Sequence, residues 1–285
     1  MAMVKKKLRI GFFSFTCCQG CQFTILFIDK ILDILQQLDV GYFHLLKDKD
    51  RSKEDFDIAF IEGAITTKRE VRKLKNIKNK SKFVVAIGAC AVNGGIPSMR
   101  NYMENRELEK YVYNQKMLKD SIEVEPLDCF IKVDYHMRGC PIIKEEFVSF
   151  LANYAKGKVI TEFKGSVCDQ CSKRGKDCYL GKKIVCLGAI THGGCDAICT
   201  KDNIPCIMCR GPLSSSNFPA EVRLFKSWGL SVSDICNKMS KFADISLKDQ
   251  KACGLLEDGM QKKSKKNSKS KISFCYPSSY ENWHR

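Results

Sequence analysis

The chain has 285 residues, 44% of them apolar, enough for one large or two modest domains with a real core over part of the length. The formal charge is +16, much of it at residues 68–82 and 262–271; neither stretch interleaves aromatics with basic side chains, so a solvated lysine face is expected and a nucleic-acid partner is not. Seventeen cysteines, with no secretory leader and no apolar run of membrane length, argue against a disulfide scaffold and a transmembrane segment and predict a reducing, cytoplasmic setting where clustered thiols bind metal.

Residues 8–15 form a short aromatic and β-branched run, read as a buried strand. Thr16-Cys17-Cys18-Gln19-Gly20-Cys21 follows, and then apolar residues at helical spacing from Phe23 to Leu38 predict one broad first helix. Strands are expected at 40–46, 56–61 (ending in Glu62-Gly63) and 82–88 (KFVVAIG), with a basic helix at 67–80. Residues 98–120 are charged and poorly periodic and read as helix and loop. A short strand at 129–133 would lead to Met137-Arg138-Gly139-Cys140-Pro141, and 142–156 reads as a helix with a proline just before it. Alternating strand and helix over the first 155 residues predicts an α/β fold with a doubly wound parallel sheet. Cys18, Cys21, Glu62, Cys90 and Cys140 then fall beyond strand ends or in the loop before the last helix, on the sheet edge where such folds bind ligands.

The organisation expected is a sheet domain at 1–157, an irregular cysteine-rich domain at 158–215, a helical segment at 216–260 and a lysine-rich, disordered tail at 261–285. The second region holds eight cysteines among Gly, Lys, Asp and Thr, with too little hydrocarbon to fold alone, so thiolate–metal bonds are expected to hold it. In chain order they divide into Cys168-x2-Cys171-x6-Cys178-x7-Cys186 and Cys195-x3-Cys199-x6-Cys206-x2-Cys209. Two zinc ribbons and ligation crossed between quartets stay open on spacing alone. The first set, Cys18, Cys21, Cys90 and Cys140, has one C-x-x-C pair and is flanked by Gly20, Gly88, Gly94, Gly95 and Gly139. Glycines let backbone approach a bulky inorganic core, which favours a 4Fe–4S cluster over a single zinc ion. Cys129 reads as a small buried hydrophobe, and Cys236, Cys253 and Cys275 as free thiols. Glu62 is as well explained by a capping or interface role as by a functional one.

The segments FTCCQGCQ, FIEGAITT, IGACAVNGGIPS, MRGCPIIKEEFVSFL and CLGAITHGGCDAIC with PCIMCRGP resemble, in order and over about residues 8–240, the small subunit of nickel–iron hydrogenases. The match is to the cytoplasmic group: sulfhydrogenase delta and coenzyme F420-linked or methyl-viologen-reducing gamma subunits. The resemblance implies a flavodoxin-like domain followed by an irregular iron–sulfur domain, with three 4Fe–4S clusters. Cys18, Cys21, Cys90 and Cys140 would hold the proximal one. Cys195, Cys199, Cys206 and Cys209 would hold the medial one, and Cys168, Cys171, Cys178 and Cys186 the distal one. It implies a large subunit carrying the nickel–iron centre, a flavin- or ferredoxin-type acceptor subunit, and a role as electron wire rather than acid–base catalyst.

Cys168 stands where periplasmic relatives have a histidine, and Cys199 where their medial site has a proline, which implies 4Fe–4S in place of 3Fe–4S. Gln22 stands where many relatives have a glutamate, so no proton route is assigned. The tandem Cys17-Cys18 resembles instead the quinone-reducing subunit of respiratory complex I, the alternative reading, which lacks the eight-cysteine region.

Overall fold

The structure, a computed structural model, describes residues 7–46, 51, 53–103, 108 and 120–243. The expectations for most of 98–120 and for the tail, including Cys253 and Cys275, lie outside these residues. The chain divides into two compact units between Glu162 and Phe163.

The first unit is built on β1 (Arg9–Ser14), α1 (Gly20–Leu26), α2 (Ile31–Gln36), β2 (Asp39–Phe43), β3 (Phe56–Glu62), β4 (Ile65–Thr67), α3 (Lys68–Asn79), β5 (Ser81–Ile87), α4 (Gly88–Asn93), β6 (Ser121–Glu125), β7 (Tyr135–Met137) and α5 (Lys144–Ala155). Five strands form one sheet in the order β2-β1-β3-β5-β7, every pair parallel. Numbered among themselves, that is the flavodoxin-like order 2-1-3-4-5. Strand side chains alternate between two cores. Ile10, Phe12, Ile58, Phe60, Val85 and Ile87 pack with Ile25, Ile31, Leu35, Phe147 and Phe150 from α1, α2 and α5. Phe13, Ala59, Ile61, Val84 and Ala86 pack with Leu74, Ile77 and Val92 from α3 and α4. Both faces are covered, which is why these strands are continuously apolar rather than alternating with polar residues.

Three expectations change. The predicted first helix is two, broken around Lys30 at φ 56, with Phe23, Phe27 and Leu32 left exposed. The spacing carried through, but a left-handed residue cannot continue a right-handed helix. The last strand is Tyr135–Met137, not 129–133; Leu127–Cys129 is instead a single 3₁₀ turn, and Asp134, just before the strand, donates its N–H to the Val84 carbonyl at 2.9 Å and accepts the Val84 N–H on its side chain at 2.8 Å. The antiparallel pair of β4 and β6 was not foreseen, since β4 is only three residues long. The basic helix is present and has a complete capping box between Thr67 and Glu70.

The second unit has 3₁₀ turns at Val167–Gln170, Leu180–Lys182 and Gly188–Ile190, then α6 (Ile198–Lys201), α7 (Phe218–Ser227) and α8 (Val232–Met239). Among its described residues the chain is tied by isolated bridges, Ser166 to His192 and Thr191 to Pro212, rather than by ladders. The cysteine-rich stretch is not without hydrocarbon partners. Leu187, Ile190 and Met208 share a core with Phe218, Val222 and Phe225 of α7 and Ile235 and Met239 of α8. No described helix is long and apolar enough to cross a membrane.

Candidate functional site

Because all five strands are parallel, their carboxyl ends share one edge, and strand order reverses between β1 and β3. Beyond that edge come Cys17, Cys18 and Cys21 after β1, Glu62 closing β3, Cys90 in α4 immediately after β5, and Cys140 after β7. Two ties fix the first loop. Thr16 exchanges backbone hydrogen bonds with Ala64 at 3.0 and 3.2 Å, and its hydroxyl donates to Glu70 of the α3 capping box at 3.1 Å.

Glu62, 2% exposed, accepts the Cys21 N–H on Oε1 and the Gln22 N–H on Oε2, each at 3.1 Å. Both oxygens accept at the start of α1, the geometry of a cap, and the Cys17 thiol bonds the same carboxylate. Burial raises its pKa although the two N–H groups favour the anion. Gln22, equally buried, donates to Ser14 Oγ at 2.6 Å and is likewise a structural tie.

The thiols form one electrostatic neighbourhood. Burial raises the Cys21 pKa, and Glu62, Cys140 and Cys90 add to the rise. Cys90 is pushed up to about 12 by burial, then by Cys140, Cys17 and Cys18. Cys17 is also pushed up to about 12, by burial and Glu62. Deprotonating such a group unaided is unfavourable; a cationic inorganic core reverses the balance. Backbone N–H groups already favour the anions: Gly20 donates to Cys18 Sγ at 3.4 Å, and Ile142 and Ile96 do so to Cys21 and Cys90.

Glycines leave the room. A Cβ on Gly88 would lie 2.4 Å from Cys21 Sγ, and one on Gly95 2.8 Å from Cys90 Sγ. Among the described residues no three His, Cys, Asp or Glu groups converge tightly enough for a single metal ion. The donor chemistry, the shielding and the side-chain-free cradle fit a larger thiolate-bound core.

In the second unit Cys168, Cys171, Cys178 and Cys186 line one pocket, with Gly188 and Thr200 in its wall. Cys168 is pushed up to about 12 by burial, then by Cys186, Cys171 and Cys178, so the quartet read in chain order is brought together. A Cβ on Gly188 would meet Cys168 Sγ at 3.3 Å. The other quartet appears as two pairs: Cys195 bears on Cys199, and Cys209 on Cys206, which burial pushes up to about 12. The two quartets are joined by a hydrogen bond, from Cys206 N–H to Cys186 Sγ at 3.3 Å. Thr200 Oγ1 lies 3.1 Å from Cys171 Sγ, and Cys206 Sγ faces Thr191 Oγ1 at 3.7 Å. Both threonines are buried, and sequence reasoning gave neither a role. It also passed over His136, whose ring meets Asp128 and Glu162, each at 2.7 Å, just before the Cys140 loop. Cys129 is half-buried and donates to Glu125 at 3.3 Å; Cys236 is half-buried against the helical core.

Residues 18–154 match the family described as NADH ubiquinone oxidoreductase, 20 Kd subunit. The sulfhydrogenase 2 delta subunit of Pyrococcus furiosus is 35% identical over 240 residues, covering 83% of this chain and 99% of that one. The chain belongs to the nickel–iron hydrogenase small-subunit family. A second relative, a vhu subunit of the F420-non-reducing hydrogenase of Methanocaldococcus jannaschii, is 29% identical, covering 75% of this chain and 85% of that one. A chain of the actinobacterial-type NiFe-hydrogenase of Ralstonia eutropha H16 shares the fold at TM-score 0.56 and 16% identity, over 82% of this chain and 92% of that one.

Proposed function

We propose that this protein is the electron-transfer small subunit of a hydrogenase, working in the cytoplasm between a large subunit that carries a nickel–iron centre and a flavin- or ferredoxin-type acceptor subunit. The observation that carries the reading is the gathering of Cys18, Cys21, Cys90 and Cys140 beyond the sheet's carboxyl edge, in a chain whose second unit gathers Cys168, Cys171, Cys178 and Cys186 around a pocket. On this reading the first four hold the proximal 4Fe–4S cluster. Cys195, Cys199, Cys206 and Cys209 hold the medial one, and the pocket quartet the distal one. When bound, the clusters supply one-electron redox sites, and the overall conversion of H2 to two protons and two electrons takes place on the partner.

This chain's own residues act on the sites rather than on the substrate. Gly88 and Gly95 keep side chains away, and Gly20, Ile96 and Ile142 aim N–H dipoles at sulfur. Burial excludes water and holds the potential. Glu62 and Gln22 fix the turn that carries Cys18 and Cys21.

A second reading is an iron–sulfur subunit of a complex I-like, membrane-associated reductase. It is favoured by the tandem Cys17-Cys18 and the family match over 18–154, but that match stops short of the second unit. The test is to purify the chain anaerobically with its native partners and admit H2. The hydrogenase reading predicts bleaching of the brown cluster absorbance, lost on Cys90→Ser. No bleaching by H2 but bleaching by a reduced quinol, with a membrane arm in the preparation, supports the reductase instead.

A further inference from the structure

Thr200 and Thr191 bring buried hydroxyls against thiols of the second unit. Thr200 lies in α6, directly after Cys199, yet it stands in the wall of the pocket formed by Cys168, Cys171, Cys178 and Cys186. Its Oγ1 is 3.1 Å from Cys171 Sγ and 2.9 Å from the Ala197 carbonyl oxygen. The Thr191 hydroxyl donates to the Leu187 carbonyl and is 3.7 Å from Cys206 Sγ.

A hydroxyl has one proton to donate. While Cys171 is a thiol, its S–H can donate to Thr200 and the hydroxyl can donate to Ala197. A thiolate only accepts, so once Cys171 ligates a metal core, sulfur and carbonyl compete for the one hydroxyl proton. The Ala197 carbonyl also accepts two backbone N–H groups, from Thr200 at 3.0 Å and Lys201 at 3.2 Å, and loses little when the hydroxyl turns away. The Leu187 carbonyl accepts the Ile190 N–H at 3.3 Å, a longer bond, and Cys206 is the more distant sulfur, so the Thr191 proton stays on its carbonyl. Away from water, a hydrogen bond to sulfur strengthens as the sulfur gains charge.

We propose that the Thr200 hydroxyl is a positioning donor that turns from Ala197 to Cys171 Sγ when the centre held by the pocket quartet takes up an electron, and so raises that centre's reduction potential. The inference deepens the proposed function and rests on it, since the sulfur gains charge only if the quartet holds a redox core. One electron, supplied from H2 through the partner, enters the core, and part of its charge falls on the ligating sulfurs. The hydroxyl rotates about its C–O bond; no covalent bond forms or breaks, and the proton stays on Thr200.

The test is an anaerobic redox titration of the reconstituted full chain, followed by electron paramagnetic resonance, with iron counted on every sample. The signal of the pocket centre is the one missing when Cys168→Ser and Cys171→Ser are combined. Thr200→Val keeps the shape without the donor, Thr200→Ser keeps the donor, and Thr191→Val is the comparison. The proposal predicts that reduction of the pocket centre becomes about tenfold less favourable in Thr200→Val, a midpoint about 59 mV lower for a one-electron couple. A hydrogen bond to a charged group supports a change of that size. Thr200→Ser should titrate near the parent, and Thr191→Val should leave this midpoint where it is.

Full iron with an unmoved midpoint in Thr200→Val would overturn the donor while leaving the clusters standing. An equal fall in Thr200→Ser or in Thr191→Val would assign the shift to packing and overturn it as well. If Thr200→Val sheds iron, Thr200→Ala carries the same expectation. Iron lost from both, with Thr200→Ser intact, would make the hydroxyl a brace for the fold and also overturn the proposal. A parent chain that takes up no iron under any anaerobic condition would overturn the proposed function, and this inference with it.

Discussion

Gly88 concentrates the local demands of the sheet-edge site. It sits at φ +84, where an L side chain is strained, and its missing Cβ leaves 2.4 Å to Cys21 Sγ. Gly88→Ala should therefore cost about 1–3 kcal/mol in backbone strain, read as a lower denaturation midpoint, and also expel about four irons if the first quartet holds a cubane. Loss of stability with iron retained would mean that the glycine serves only the turn. Identity at such positions is legible in the sequence because the pattern is local: thiols recur at short spacings, and glycines stand between them. The supporting residues were not legible. Glu62 reaches α1 from a strand end 41 residues away from Cys21, and Thr200 meets Cys171 across 29 residues. Nothing local announces either contact.

At the scale of elements, the main strands and α3 and α5 follow from apolar runs, period and caps, because local propensity and tertiary demand agree there. The misses have two causes. The first helix splits because continuous apolar spacing does not report a left-handed residue such as Lys30. The sequence also placed the last strand at 129–133, whereas β7 carries a polar centre, His136, whose burial depends on partners elsewhere. Burial disfavours the imidazolium, but its hydrogen bonds to the Asp128 and Glu162 carboxylates outweigh it and hold the His136 pKa at about 9. Burial likewise works against the Glu162 anion, and His136 and Arg138 bring its pKa down to about 2. The pair is worth most when both groups are charged. Its contribution is full from about pH 4.5 to 6.5, is lost as pH rises through about 9, and is lost again as pH falls through about 2. It should be of order 1–3 kcal/mol. Denaturation midpoints between pH 6.5 and 9 should fall in the parent and stay nearly flat in His136→Gln, compared as a difference between the two proteins. Parallel slopes would remove His136 from the account.

At the scale of the molecule, the doubly wound parallel sheet was readable from the alternation of strands and helices, since the right-handed crossover rule leaves few alternatives. The second unit was less so. Its cysteine spacing suggested a segment with nothing but metal to fold around, yet Leu187, Ile190 and Met208 are covered by α7 and α8. A small core supports that stretch, and periodicity reports neither the irregular turns nor which helix closes over them.

The proposed electron path requires the twelve cysteines to act as three sets of four around iron–sulfur cores. Iron and acid-labile sulfide should be counted on the anaerobically reconstituted full chain, and on variants with two serines in each set in turn: Cys18 and Cys21, Cys168 and Cys171, Cys206 and Cys209. The account predicts about twelve irons and twelve sulfides per chain and about eight in each variant. Stoichiometric zinc with no labile sulfide would contradict it.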